Sequence, residues 1–213
     1  MRPVLSLLAA LSLSSLCAAQ VYYVDPVGGS DANPGTSRAQ AFKTISHGST
    51  FLIDNDTLIL MPGTYSPSLT GETIPFKFGE TTSQNNIRII GEGGPNATII
   101  DGESGAGALG VMRFYAGADG AMIRGVQFLN ATGGSYWSSA IRLGSTSGGV
   151  YEAKNVEITG CIFRDGYRGI VIFGSNGSSG GSTSTGCKIH DNLFVNNAHR
   201  QIAVWGAGIN YIY

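Results

Sequence analysis

The sequence predicts a β-solenoid, a chain wound into stacked coils of short strands, and three observations predict it. The stretch from Ile158 to Gly174 returns as Ile189 to Gly206 with one inserted residue, Ala198. In that register Ile158 meets Ile189, Phe163 meets Phe194, Arg168 meets Arg200, and Phe173 meets Trp205, while Ile170 and Ile172 meet Ile202 and Val204. A fainter earlier copy sets Ile123, Val126, Phe128, Asn130, Ile141 and Leu143 at the same places, and each copy has about the length of one solenoid coil. Finally, Gly144, Gly174 and Gly206 follow the strand in the three copies, where a bend between strands needs a residue free to turn. A short strand with alternating Ile, Val and Leu cannot bury its apolar face alone; stacking like strands about 4.8 Å apart closes those faces into one core.

Taken in order, residues 1–19 read as a secretory leader, with a basic start at Arg2, an apolar run from Val4 to Leu16, and Ala18-Ala19 before Gln20 as a small-residue cleavage site. The run is too short for a membrane span, so the expectation is a secreted, extracellular protein. Residues 20–55 then form an N-terminal strand beginning at Val21, a turn-rich loop over 28–36, and a short capping helix between Ser37 and Ile53, with Phe42, Ile45 and Leu52 on its apolar face. Such a helix plugs the open end of a solenoid.

Coils occupy 56–213. Asp56 to Tyr65 is the first full strand, stopped by Pro62-Gly63. Ile74 to Phe78, Ile87 to Ile90 and Thr98 to Ile100 continue the pattern. The last coil breaks off at Tyr213 without a cap, and a bare strand edge invites self-association.

The opening of the mature chain resembles the N-terminal segment of secreted right-handed parallel β-helix proteins of the pectin-lyase-like superfamily. The resemblance rests on the Tyr22-Tyr23-Val24-Asp25-Pro26 start, the Gly29-Ser30-Asp31-x-Asn33-Pro34-Gly35-Thr36 loop, the Phe42-Lys43-Thr44-Ile45 segment, and the strand that runs from Asp56-Thr57-Leu58 to Pro62-Gly63-Thr64-Tyr65. With the repeats it covers nearly all of the mature chain. It implies an all-β, single-stranded right-handed parallel β-helix acting on acidic polysaccharide, with β-elimination the first reaction to expect. That reaction needs a base near the sugar C5 and something to neutralise the uronate carboxylate, which in pectate-lyase-like members is Ca²⁺ held by carboxylates.

Residues that fit such chemistry gather on two neighbouring coils. Asp165, Tyr167 and Arg168 on one lie beside Asn196, His199 and Arg200 on the next, so the two arginines stack one strand spacing apart as a positive site for a uronate. Arg168, Arg200 and His199 are the catalytic candidates and Asp165 the candidate Ca²⁺ ligand. Solvated surface with Asp165 paired to an arginine is the structural alternative. Phe173 and Trp205 point away from the core if their neighbours point in. With Tyr136-Trp137 before them and Tyr167 beside them, they would form a platform for sugar rings, unless the loop over 175–185 folds across it. Lys43, Lys77, Lys154 and Lys188 are further candidate bases, and nothing selects among them; His47 and His190 read as structural.

Other features narrow the classes. With 13 basic and 14 acidic residues, no nucleic acid is expected as a partner. Sequons at Asn55, Asn96, Asn130 and Asn176 suit a secreted glycoprotein. Cys161 faces Asn192 and Cys187 faces Val156 in the register, so the two are not stacked, and their pairing stays open. No hydrolase, esterase or epimerase signature of the superfamily is present, nor any zinc or haem spacing. A non-catalytic glycan- or surface-binding module, or a fragment of a longer enzyme, therefore stands beside the lyase reading.

Overall fold

A computed structural model describes residues 18–103, 110–133, 138–144, 152–174, 184–206 and 208–213; most of the leader segment and the Tyr136-Trp137 pair lie outside them. The described chain is a parallel β-helix. After β1 (Val21–Val24), each coil contributes three strands. Coil one holds β2 (Thr57–Leu60), β3 (Gly63–Tyr65) and β4 (Phe76–Phe78); coil two holds β5 (Arg88–Gly91), β6 (Thr98–Asp101) and β7 (Met112–Phe114). Coil three comprises β8 (Met122–Arg124), β9 (Gln127–Leu129) and β10 (Ile141–Leu143), and coil four comprises β11 (Glu157–Thr159), β12 (Ile162–Arg164) and β13 (Ile170–Phe173). Coil five has β14 (Lys188–His190), β15 (Leu193–Val195) and β16 (Ile202–Trp205), and β17 (Tyr211–Ile212) follows it. The first sheet runs β1-β2-β5-β8-β11-β14-β17, the second β3-β6-β9-β12-β15 and the third β4-β7-β10-β13-β16, all parallel.

The register is the one the repeats predict. Ile158 pairs with Ile189 and Ile123, Phe163 with Phe194 and Phe128, and Phe173 with Trp205. Each rung places like side chains over one another, so the rings of Phe128, Phe163 and Phe194 stack at 5.3 and 4.9 Å down the lumen. A ring buried this way contributes about 1.5–3 kcal/mol relative to exposure.

One bend in each of coils three to five has a backbone cause. Asn130, Asp165 and Asn196 leave the second sheet at φ of 52, 53 and 52°, a left-handed conformation that Asn and Asp tolerate better than other side chains. Neighbouring asparagines then tie the coils together: Asn192 Oδ1 accepts from Cys161 N at 2.9 Å and its Nδ2 donates to the Ile158 carbonyl at 2.8 Å, and Asn197 Nδ2 donates to the Phe163 carbonyl at 2.9 Å.

The short capping helix expected between Ser37 and Ile53 is present but occupies only part of that span. Phe42 is drawn into extended pairing with β1, donating to Tyr23 O at 2.9 Å while its own carbonyl accepts from Asp25 N at 2.8 Å. Asp31 accepts from the Lys43 and Thr44 amides and Glu72 from those of Ile45 and Ser46. The helix α1 (Ile45–Gly48) is thus one turn long, opened by Thr44, whose hydroxyl accepts from His47 N. Phe42, Ile45 and Leu52 do close the lumen. A second single turn, α2 (Pro67–Thr70), lies between β3 and β4.

Cys161 and Cys187 are buried free thiols, each pushed up to about 11, chiefly by burial. Among the described residues no helix is long and apolar enough to cross a membrane.

Candidate functional site on the outer face of the third sheet

Alternation along the third sheet sends one side chain of each strand outward. Phe76 and Phe78, Met112 and Phe114, Ile141 and Leu143, and Ile170 and Ile172 belong to the lumen core. The residues between them form an outward row across five strands: Lys77, Arg113, Arg142, Val171 and Ala203, each paired with the next. Three cations are followed by two small apolar residues. One step further along β13 and β16, Phe173 and Trp205 complete an apolar patch with Val171 and Ala203 that is separate from the lumen core.

These groups join into a column. The Arg142 guanidinium lies 4.1 Å from the centroid of the Phe173 ring, and Phe173 stacks on Trp205 at 5.9 Å and 12°. Trp205 in turn lies 5.4 Å from the Arg168 guanidinium and 5.8 Å from that of Arg200. Arg168 also reaches Tyr167 at 4.9 Å, and Tyr167 stacks on His199 at 5.2 Å. A guanidinium against an aromatic face gains about 0.5–2 kcal/mol, more as water is excluded. Arg142 Nε donates to the Gly144 carbonyl at 3.2 Å. A Cβ at Gly169 would meet Phe194 Cε1 at 2.5 Å, so only glycine lets the chain pass there into β13.

Six of the eight residues singled out in the sequence thus form one contiguous cluster: Arg168, Arg200, His199, Tyr167, Phe173 and Trp205. Arg168 and Arg200 follow one another on adjacent coils as expected, since Ala140 N donates to Arg168 O and Gly169 N to Arg200 O at 3.0 and 3.3 Å. They differ in environment: Arg168 is fully buried and Arg200 exposed. Phe173 points outward but is covered, only 1% exposed. His199 is held below the ordinary histidine value by lost solvation and then by the nearby Arg168 and Arg200, so its imidazole is neutral at neutral pH.

The remaining two stand apart. Trp137 lies outside the described residues, as does most of the 175–185 loop. Asp165 occupies its left-handed bend, and no salt bridge to it forms among the described residues. A calcium cage needs six to eight oxygen ligands. No group of three or more His, Cys, Asp or Glu side chains that could hold a metal occurs among the described residues, and the adjoining sheet face is cationic. The described residues around Asp165 do not fit Ca²⁺. Of the candidate bases, Lys77 pairs with Glu80 at 2.7 Å and Lys154 with Glu152 at 2.6 Å, while Lys188 is exposed on the first sheet.

Sequence reasoning missed Arg113 and Arg142. Burial first, and Arg113 beside it second, push the Arg142 guanidinium down to about 10. A signal existed: Phe76-Lys77-Phe78, Met112-Arg113-Phe114 and Ile141-Arg142-Leu143 each set a cation between two core residues, and stacked coils must put all three on one outer row.

No family model matches the sequence, and no curated protein matches it. Among solved structures, the chain is similar to a GH136 lacto-N-biosidase from Eubacterium ramulus, with a TM-score of 0.56 and 14% identity, over 91% of this chain and 36% of that one. It is also similar to a rhamnogalacturonan lyase, with a TM-score of 0.50 and 16% identity, over 91% of this chain and 56% of the other. The chain therefore spans about a third to just over half the length of these two proteins. At such identities the likeness is one of fold: this chain is a parallel β-helix.

Proposed function

We propose that this is an exported protein that acts on an acidic polysaccharide at the outer face of the third sheet, by β-elimination of a uronate unit. The observation that carries the reading is the cluster of Arg168, Arg200, Tyr167, His199 and Trp205, in which cations, an aromatic platform and a neutral imidazole adjoin. Trp205 stacks against a sugar ring, and the exposed Arg200, backed by Arg168, takes the uronate carboxylate in a fork geometry. Holding that carboxylate acidifies the C5–H. His199 accepts the C5 proton, the electron pair forms the C4=C5 double bond, and the C4–O bond breaks with its pair leaving on the glycosidic oxygen, which takes a proton from solvent. A base of lowered pKa is in its working form at neutral pH, and general base catalysis contributes about 10²–10⁴-fold. Both structural neighbours carry carbohydrate-processing names, which is consistent with this reading.

The test is the ultraviolet absorbance of unsaturated uronate released from pectate, alginate and glycosaminoglycan. Product is expected from at least one polymer, with His199→Gln about 100-fold slower. Silence from folded protein on the whole panel sinks the elimination. A second reading, a glycan-binding module without catalysis, is favoured by the Phe173–Trp205 stack, which needs no base to hold a sugar. Affinity electrophoresis separates them: in the module, Trp205→Ala loses glycan retention although no polymer yields product.

A further inference from the structure

Two cations on coils two and three lie side by side on the third sheet, Arg142 buried and Arg113 half-buried. Arg113 and Arg142 are register partners on the same face, so their backbones lie about 4.8 Å apart, and Arg142 is only 3% exposed. Two like charges side by side with little water are costly unless an opposite charge joins them. All 14 acidic residues of the chain lie among the described residues. None forms a salt bridge with Arg113 or Arg142. Among the described residues Arg142 Nη1, Arg113 Nε and the Oγ of the fully buried Ser139 also have no hydrogen-bond partner. Buried donors without acceptors are rare in native proteins and costly, about 1–3 kcal/mol each and more for charged groups. Gly110 brings the last of these close: a Cβ built there would lie 3.2 Å from Ser139 Oγ and 3.3 Å from Arg142 Cβ. Donors, two positive charges and no internal acid are the makings of an anion site.

We infer that Arg113, Arg142 and Ser139 form an oxyanion site, which takes a carboxylate or sulfate ester borne by the same glycan that lies on Trp205. This deepens the proposed function and rests on it for the identity of the carrier. Arg142 is linked to that platform through the Phe173 ring, so a ligand spanning both places needs at least two acidic groups along its length. The substrate class is accordingly a polyanionic glycan, and an isolated acidic sugar in a neutral chain fills only half the face.

The full chain is titrated with millimolar sodium sulfate, sodium galacturonate and sodium chloride at matched ionic strength, following the thermal midpoint. A ligand that binds only the folded state raises the midpoint saturably. Sulfate or galacturonate is expected to do so and chloride not, with Arg142→Gln and Arg113→Gln weakening the response about tenfold or more and His199→Gln leaving it intact. A response to sulfate alone assigns the sulfate ester, and a response to galacturonate alone assigns the carboxylate. Equal shifts from all three salts, or an unchanged response in whichever arginine variants fold, overturn the site. Anion binding without unsaturated product from any polymer would sink the elimination and leave the oxyanion site standing.

Discussion

The outer faces of the first and third sheets are built on the same coils, yet they treat charge in opposite ways. On the first sheet, Glu157 pairs with Lys188, Arg124 with Thr159, and Thr159 with His190. Signs are mixed there, and His190 lies between Asp191 at 2.8 Å and Glu157 at 3.2 Å. On the third sheet Lys77, Arg113 and Arg142 share one sign along one row, and in the aromatic patch beyond them Phe173 is covered while Trp205 is half-buried. Mixed, solvated charge on a strand face discourages pairing with other chains and contributes little else. Like charge withdrawn from water works against the fold, and such arrangements concentrate at functional sites. The contrast supports the proposed placing of the site on the third sheet without appeal to a catalytic motif.

Removing part of the lumen core on which both faces rest has the largest effect. Phe163→Ala takes the central ring from the Phe128–Phe163–Phe194 stack and is expected to cost about 3–5 kcal/mol in denaturant unfolding; a loss below about 1 kcal/mol would mean the coils do not depend on that core. Next comes charge reversal. Arg142→Glu gives Arg113 an internal partner and should weaken binding to an acidic glycan by about tenfold or more, at least about 1.4 kcal/mol, whereas Lys188→Glu on the first sheet should stay within about twofold. Equal losses would erase the distinction between the faces. Trp205→Ala is smaller, about 0.5–1.5 kcal/mol in glycan affinity, with Tyr213→Ala, which removes the ring stacked 5.1 Å from His190, having none.

The finest contrast is in pH. His190 is held above the ordinary histidine value, first by its hydrogen bond to Asp191, so its stabilisation is fully present below 6.5 and is lost as pH rises through its folded value. His199 is held below that value, so the folded state binds fewer protons than the unfolded one. Its contribution is complete above 6.5 and is lost as pH falls through the folded value. His190→Gln should therefore make the thermal midpoint fall more on acidification than wild type, and His199→Gln should make it fall less. Shifts of the same sign in both variants would contradict the two environments.

The coil register was legible because inward positions repeat in kind as well as in spacing: Ile158 over Ile189 and Phe163 over Phe194 are fixed by a lumen that admits little variation. The same repeats revealed Arg168 beside Arg200 and Phe173 beside Trp205. Arg142 escaped because its successors on the row are Val171 and Ala203, so the cation that recurs at Lys77, Arg113 and Arg142 stops before the two coils whose repeat is clearest; the core residues on either side of it mark its direction. The depth of Arg168 was equally hidden, since burial on an outer face depends on what packs over it. The short cap helix was legible too, but not where it starts: Phe42 satisfies an apolar helix pattern, yet its hydrogen bonds to Tyr23 and Asp25 hold it extended.

The two buried cysteines have a use beyond packing. Cys161 sits at the first bend of coil four and Cys187 at the entrance to coil five, each with a thiol pushed up to about 11, and thiols in that condition are inert toward alkylating reagents until water reaches them. Because each coil leans only on its neighbours, the helix can unzip rung by rung from an end. The pair are then two clocks set one coil apart. If labelling of Cys187 precedes that of Cys161, the helix opens from its C-terminal side, and if the two react together, the last two coils part as one unit.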